Sequence, residues 1–108
     1  MKYIIPQDKL DNIAFKYLDK NLSGMRIRHY PRFFKGIIIY HPDDDNKRLG
    51  LNIDSTLLIP SSLVRDINTV FGLNYPEAEN LIARWVSNRF NLEVESTYSF
   101  SYAPKELY

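Results

Sequence analysis

Cysteine is absent from this 108-residue chain. That excludes disulfide staples, thiolate nucleophiles and zinc sites that need sulfur, and it suits a reducing compartment. Glycine is scarce. Gly24, Gly36, Gly50 and Gly72 stand far apart, so they build neither a phosphate-cradling loop nor a dinucleotide fingerprint. There is no nucleophile elbow. Long apolar runs are missing too. The run that opens the chain is broken by Pro6 and Asp8, short of the roughly 7–15 residues of a signal-peptide core. No segment approaches the roughly 20 residues of a membrane helix. These absences lead us to expect a non-enzymatic chain without cofactor or metal, away from membranes and in the cytoplasm.

What is present is the composition of an ordinary globular protein, 44% hydrophobic and 25% charged. A chain of this length buries somewhat over about 60% of its unfolded surface, so one domain over residues 1–108 is expected, ending in a tail at 103–108. The formal charge of +1 conceals an imbalance. Residues 1–35 hold eight Lys or Arg against three Asp, and residues 36–108 hold six against ten acidic residues. Such an excess suits a polyanionic or acidic partner at the basic end, unless the fold sets the two halves against each other.

Periodicity predicts the elements. Leu10, Ile13, Ala14, Tyr17 and Leu18 form one apolar stripe of a helix over residues 6–22, and Phe15 lies off it. Residues 25–35 read as irregular around Pro31. Gly36 opens the β-branched run Ile37-Ile38-Ile39-Tyr40, a buried strand. Residues 41–46 make a polar turn. Leu49, Leu51 and Ile53 then alternate with Gly50, Asn52 and Asp54 as a half-buried strand, and residues 56–59 return as a third, completing a meander. A second helix follows Pro60 with a serine N-cap and the face Leu63, Val64, Ile67, Val70 and Phe71. A third begins near Pro76 and buries Ala78, Leu81, Ile82, Trp85, Val86 and Phe90. Last, Leu92, Val94, Ser96, Tyr98, Phe100 and Tyr102 share one face of a fourth strand that joins the sheet. The predicted class is α+β: an N-terminal helix, a three-stranded antiparallel meander, a helix pair and a C-terminal strand.

Charge and rings crowd together at Arg26, Arg28, His29, Tyr30, Arg32, Phe33, Phe34 and Lys35. Protein interfaces are enriched in these residue types. Phe15, Arg26, Arg28, Tyr30, Arg32, Phe33, Phe34, Tyr98, Phe100 and Tyr102 are therefore candidate contacts for a protein partner or a second copy. Single-stranded nucleic acid is bound by cations on phosphates and rings under bases, for which Arg26, Arg28, Tyr30, Arg32, Phe33 and Lys35 would serve. The plain alternative is that Tyr30, Phe33 and Phe34 are core residues leading into the first strand. Asp43-Asp44-Asp45 offers carboxylates to a hard cation. In a calcium loop beginning at Asp43, however, Lys47 and Arg48 take the fifth and sixth positions, where a ligand and a glycine are needed. The acidic run is then a solvated turn. His29 and His41 have no fixed spacing to one another, and Trp85 is in phase with its core stripe.

Three stretches carry a resemblance. They are IPQDKLDNIAFKYLD (residues 5–19), LGLNIDSTLLIPSSLVRDINTVFGL (residues 49–73) and IARWVSNRFNLEVE (residues 82–95). With about half the chain inside them, the sequence resembles a family of short proteins of unknown function encoded in tailed-phage genomes, marine ones especially. Members tend to have an Asp-Gly turn where this chain has Asp54-Ser55, and aromatics where it has Leu58 and Pro60. The resemblance implies an accessory or assembly role, in the host cytoplasm or on the virion, and assigns no catalytic residue.

Overall fold

Three stripes of 3.6-residue period become three helices, and the strands between and after them form one sheet. The computed structural model describes residues 7–30 and 36–101, the side chains of Gln7, Asp8, His29, Tyr30, Asp45 and Asn46 excepted. The elements are α1 Gln7–Asn21, β1 Arg26–Tyr30, β2 Gly36–His41, β3 Asp44–Asn52, β4 Thr56–Pro60, α2 Ser61–Phe71, α3 Tyr75–Phe90 and β5 Ser96–Phe100. The α+β class is as expected. The sheet, however, has five strands in the order β1-β2-β3-β4-β5, because the segment expected to be irregular begins with β1. The first four strands run antiparallel to their neighbours, and β5 returns parallel to β4 after the helix pair.

Helices α2 and α3 are bounded by local chemistry. Asn74 caps α3, its Oδ1 accepting from the Glu77 N–H at 2.9 Å, with Pro76 in the first turn. Gly72 closes α2 in the left-handed region at φ 66°. The expected serine cap of α2 does not form. Pro60 occupies that position with no side-chain hydrogen bond, because β4 runs directly into the helix and its last residue is the proline. Beside the far end of α2, the Asn68 side-chain amide donates to the Leu73 carbonyl.

The helices all lie against one face of the sheet. There Ile39, Leu49, Leu51, Leu57 and Ile59 meet Ala14 and Leu18 of α1, Val64 and Ile67 of α2, and Leu81, Ile82, Trp85 and Val86 of α3. The α3 stripe is buried as read, with Phe90 at its rim. Two stripe residues are not: Ile13 of α1 is 50% exposed and Val70 of α2 is 48% exposed. Phe15, read as an off-stripe contact, is half-buried against this core, so it is a packing residue at the helix edge.

Polar ties fasten the helices to each other. Arg84 of α3 reaches both carboxylate oxygens of Asp11, at 3.0 and 3.2 Å. Trp85 Nε1 donates to Asp19 at 2.9 Å. Tyr17 donates to Asp66 of α2 at 2.6 Å and sets its ring edge-on to Phe71. The hydrogen bond to Asp66, then burial, then the Asp66 charge push the Tyr17 pKa up to about 12. In the unfolded chain a tyrosine loses its proton near about pH 10. Between those values the unfolded state binds fewer protons than the folded one, so stability falls as pH rises. Tyr17→Phe is expected to flatten that decline. Melting temperatures of the two proteins measured from about pH 8 to 12 check this, and parallel curves would refute it.

Candidate functional site

Two further differences from the sequence reading define a second face. The turn after β2 is only Pro42-Asp43, and β3 begins at Asp44, with a register irregularity between Tyr40 and His41. The long C-terminal alternation is also broken. Asn91 takes φ 55°, residues 91–95 are not strand, and the N–H groups of Glu95 and Ser96 both reach the Ser55 carbonyl. Pairing with β4 then starts at Ser96. Leu92 and Val94 pack on the helix-side core. Thr97 takes the helix side of β5 and donates to Glu79 of α3 at 2.8 Å. Tyr98 and Phe100 take the opposite side.

On that side the strand register aligns two rows across the sheet. One runs Arg28, Ile38, Gly50, Leu58, Tyr98. The other runs Arg26, Tyr40, Arg48 and, on β4 and β5, Pro60 and Phe100. Ile38 is fully buried with Tyr40, Leu58 and Phe100 packed around it. No described helix residue enters this cluster. Arg26 and Arg28 are exposed, and Tyr98 is 61% exposed.

Tyr40 stands between two arginines. The Arg28 guanidinium lies 5.0 Å from its ring centroid and that of Arg48 5.8 Å, both within cation–π range. Arg28 also donates to the Tyr40 hydroxyl at 3.4 Å. None of the residues in the two rows is acidic. Four strand steps of about 4.8 Å separate the arginine edge from the aromatic edge, roughly 19 Å.

The expected site residues are thus partly assembled. Arg26, Arg28, Tyr98 and Phe100 come together on one face, with the first two at one edge and the last two at the other. Tyr30 is the next position along β1 on the same face by register, opposite Gly36. Arg32, Phe33, Phe34, Lys35, Tyr102 and the tail at 103–108 lie outside the described residues. Tyr40, Arg48 and Leu58 were missed. The signal for them was the unbroken run Ile37-Ile38-Ile39, which is apolar on both faces of its strand.

The remaining candidates do not make a site. His41 Nδ1 accepts from the Asp43 N–H at 3.0 Å, which ties the hairpin turn. Among the described residues no three His, Asp or Glu side chains gather as a metal site, and no helix is long and apolar enough to cross a membrane. A cavity of about 360 Å³ opens between the end of α1, β3 and the start of α2. Lys47 and Arg48 line it together with Asp44 and Asp66, so its formal charges balance. Lys47 is held by the Asn21 carbonyl at 2.8 Å, and Asp66 by Tyr17. The cavity therefore lacks an excess of either sign with which to select a ligand. The chain matches no family model, no curated protein and no solved structure.

Proposed function

We propose that this chain is a non-enzymatic binding protein that takes its partner on the helix-free face of its sheet. The observation that carries the reading is Tyr40 held between Arg28 and Arg48 beside the Ile38 cluster, which no described helix residue enters. Tyr and Arg dominate the energetics of contact surfaces. A guanidinium stacked on a ring loses less freedom when a partner arrives than one waving in water. Tyr98 supports the same reading, because a large ring exposed on a strand adds little to stability where it stands. The resemblance to short tailed-phage proteins supports an accessory role.

Site-specific crosslinking tests this whatever the partner is. A photoreactive diazirine side chain placed at Tyr98, and in a second protein at Asn88 on the exposed side of α3, is irradiated in cells that make the protein. Discrete crosslinks from position 98 and none from 88 are expected. Equal labelling from both, or none from 98, would overturn the reading.

A further inference from the structure

Resting on the reading of Tyr98 as a contact residue, we infer that the partner is a second copy of this chain, joined antiparallel through the open edge of β5. Strand β5 ends the sheet, and no described strand pairs with its outer side. Sheets usually guard such edges with charge or proline. At the other edge, β1 carries Arg26 and Arg28. By contrast, β5 is Ser-Thr-Tyr-Ser-Phe, without charge or proline.

The backbone fixes the pairing. The Ser96 N–H turns toward β4 and donates to the Ser55 carbonyl at 3.3 Å. Alternation along the strand sends the N–H and C=O groups of Tyr98 and Phe100 the same way, and those of Thr97 and Ser99 outward. About a twofold axis at Tyr98, Thr97 lies opposite the partner's Ser99, and Ser99 opposite the partner's Thr97. Each of these pairs exchanges both of its hydrogen bonds, so every outward backbone group of Thr97 and Ser99 is satisfied. Neighbouring registers do worse. An axis at Thr97 sets Ser99 against Glu95, whose N–H already goes to Ser55. An axis at Ser99 sets Thr97 against Ser101, past the end of the strand.

The side chains suit the same axis. Tyr98 meets the partner's Tyr98 as a non-hydrogen-bonded pair with Cα atoms about 4.5 Å apart, the closer of the two cross-strand spacings. An aromatic pair there is favourable, and it covers a ring that is 61% exposed in the single chain. Phe100 comes opposite the partner's Ser96. Glu95, the charged residue next to the strand, comes opposite the partner's Ser101, so like charges are not opposed. A second copy offering β1 instead would leave a free edge at each end and grow an open chain, whereas the twofold pairing closes on itself.

The test is sedimentation equilibrium over about 5 to 500 µM protein, because one strand a side is a small interface and binds weakly. The dimer fraction is expected to rise across that range. Tyr98→Lys and Tyr98→Glu each set like charges against one another at the axis. Each should raise the dissociation constant at least about tenfold and keep the melting temperature, since the side chain is exposed in the single chain. Mixed in equal amounts, the two should give a heterodimer in native mass spectra in excess of either homodimer, because residue 98 meets itself only at the axis. The chain has no cysteine, so Tyr98→Cys under mild oxidation should yield a disulfide-linked dimer, the Cα spacing of the pair lying within a disulfide's span. Arg65→Cys, on the exposed side of α2, should not.

A monomer at every concentration would overturn the second copy as the partner. The contact reading of Tyr98 would then stand on crosslinks from position 98 to another protein, and fall without them. A dimer that both charged variants leave intact, or that they form without preference for one another, would overturn the pairing through β5. So would a dimer that Arg65→Cys links as readily as Tyr98→Cys.

Discussion

Gly36→Ala is expected to remove much of the stability of the fold, the largest effect of any single substitution proposed for this chain. Gly36 opens β2 with φ 152°, a region that L side chains rarely enter. Space is the harder constraint. A Cβ at this position would lie 2.1 Å from the Leu51 carbonyl oxygen and 2.9 Å from Asn52 Cα. Both are backbone atoms of the neighbouring strand and cannot turn aside. Gly36 pairs with Tyr30 on one side and Asn52 on the other, so relief of the clash must part β2 from β3 at their common end. The cost is above about 4 kcal/mol, the range of severe single-site defects, in a domain whose whole stability is about 5–15 kcal/mol. Gly72→Ala is the control. Gly72 also has positive φ, but nothing lies within 4 Å of its added Cβ, so about 1 kcal/mol is lost. Urea unfolding of the three proteins checks the pair. Equal, mild losses in both variants would mean that the β2–β3 approach is not close.

The contrast between those glycines shows what a sequence discloses and what it conceals. Both read as punctuation, and only the paired strands reveal that one is hemmed in by backbone. The α3 stripe was fully legible, because a helix in contact with both neighbours and the sheet buries a wide face and its period shows. Strand β1 was not legible. Its residues alternate Arg-Ile-Arg-His, and its one inward apolar side chain, Ile27, remains 40% exposed. It forms because the open edge of β2 supplies hydrogen-bond partners, a fact held by another segment. The C-terminal alternation misled for the opposite reason. Its period of two is real over residues 92–102, but the left-handed Asn91 and the turn onto Ser55 re-aim the chain before pairing begins. Leu92 and Tyr98, equal in parity, thus end on opposite sides of the sheet. The candidate site inherited both errors. Arg26 and Arg28 were singled out by composition, yet only the register joins them to Tyr40, Arg48 and Tyr98, which are remote in sequence and come from three other strands.

Trp85→Ala is expected to be the second most damaging change, and it tests how the helix layer is held over the sheet. Trp85 is 2% exposed. Its ring meets Phe90 edge-on at 5.6 Å, and its Nε1 donates to Asp19 of α1. Truncation removes the largest fully buried side chain of the core and leaves a cavity that two rigid helices cannot close. Losses for such changes run at about 3–5 kcal/mol, equivalent here to a melting temperature lower by roughly 15–25 °C. Two variants apportion the loss. Asp19→Ala leaves the indole N–H without its acceptor and also removes the 3.6 Å contact with Arg89. It should cost about 1 kcal/mol, because Asp19 is exposed and water can replace it. Trp85→Phe keeps much of the volume but loses the donor, and should fall between the other two. The order Asp19→Ala, Trp85→Phe, Trp85→Ala in rising damage assigns the anchorage to packing. If Asp19→Ala were as damaging as Trp85→Ala, the hydrogen bond to α1 would be the main tie, and the helix layer would be held by a polar clasp. Because no described helix residue enters the Ile38 cluster, none of these three variants should alter the binding proposed on that face before the protein melts. That separation is the physical content of a domain that builds its core on one side of a sheet.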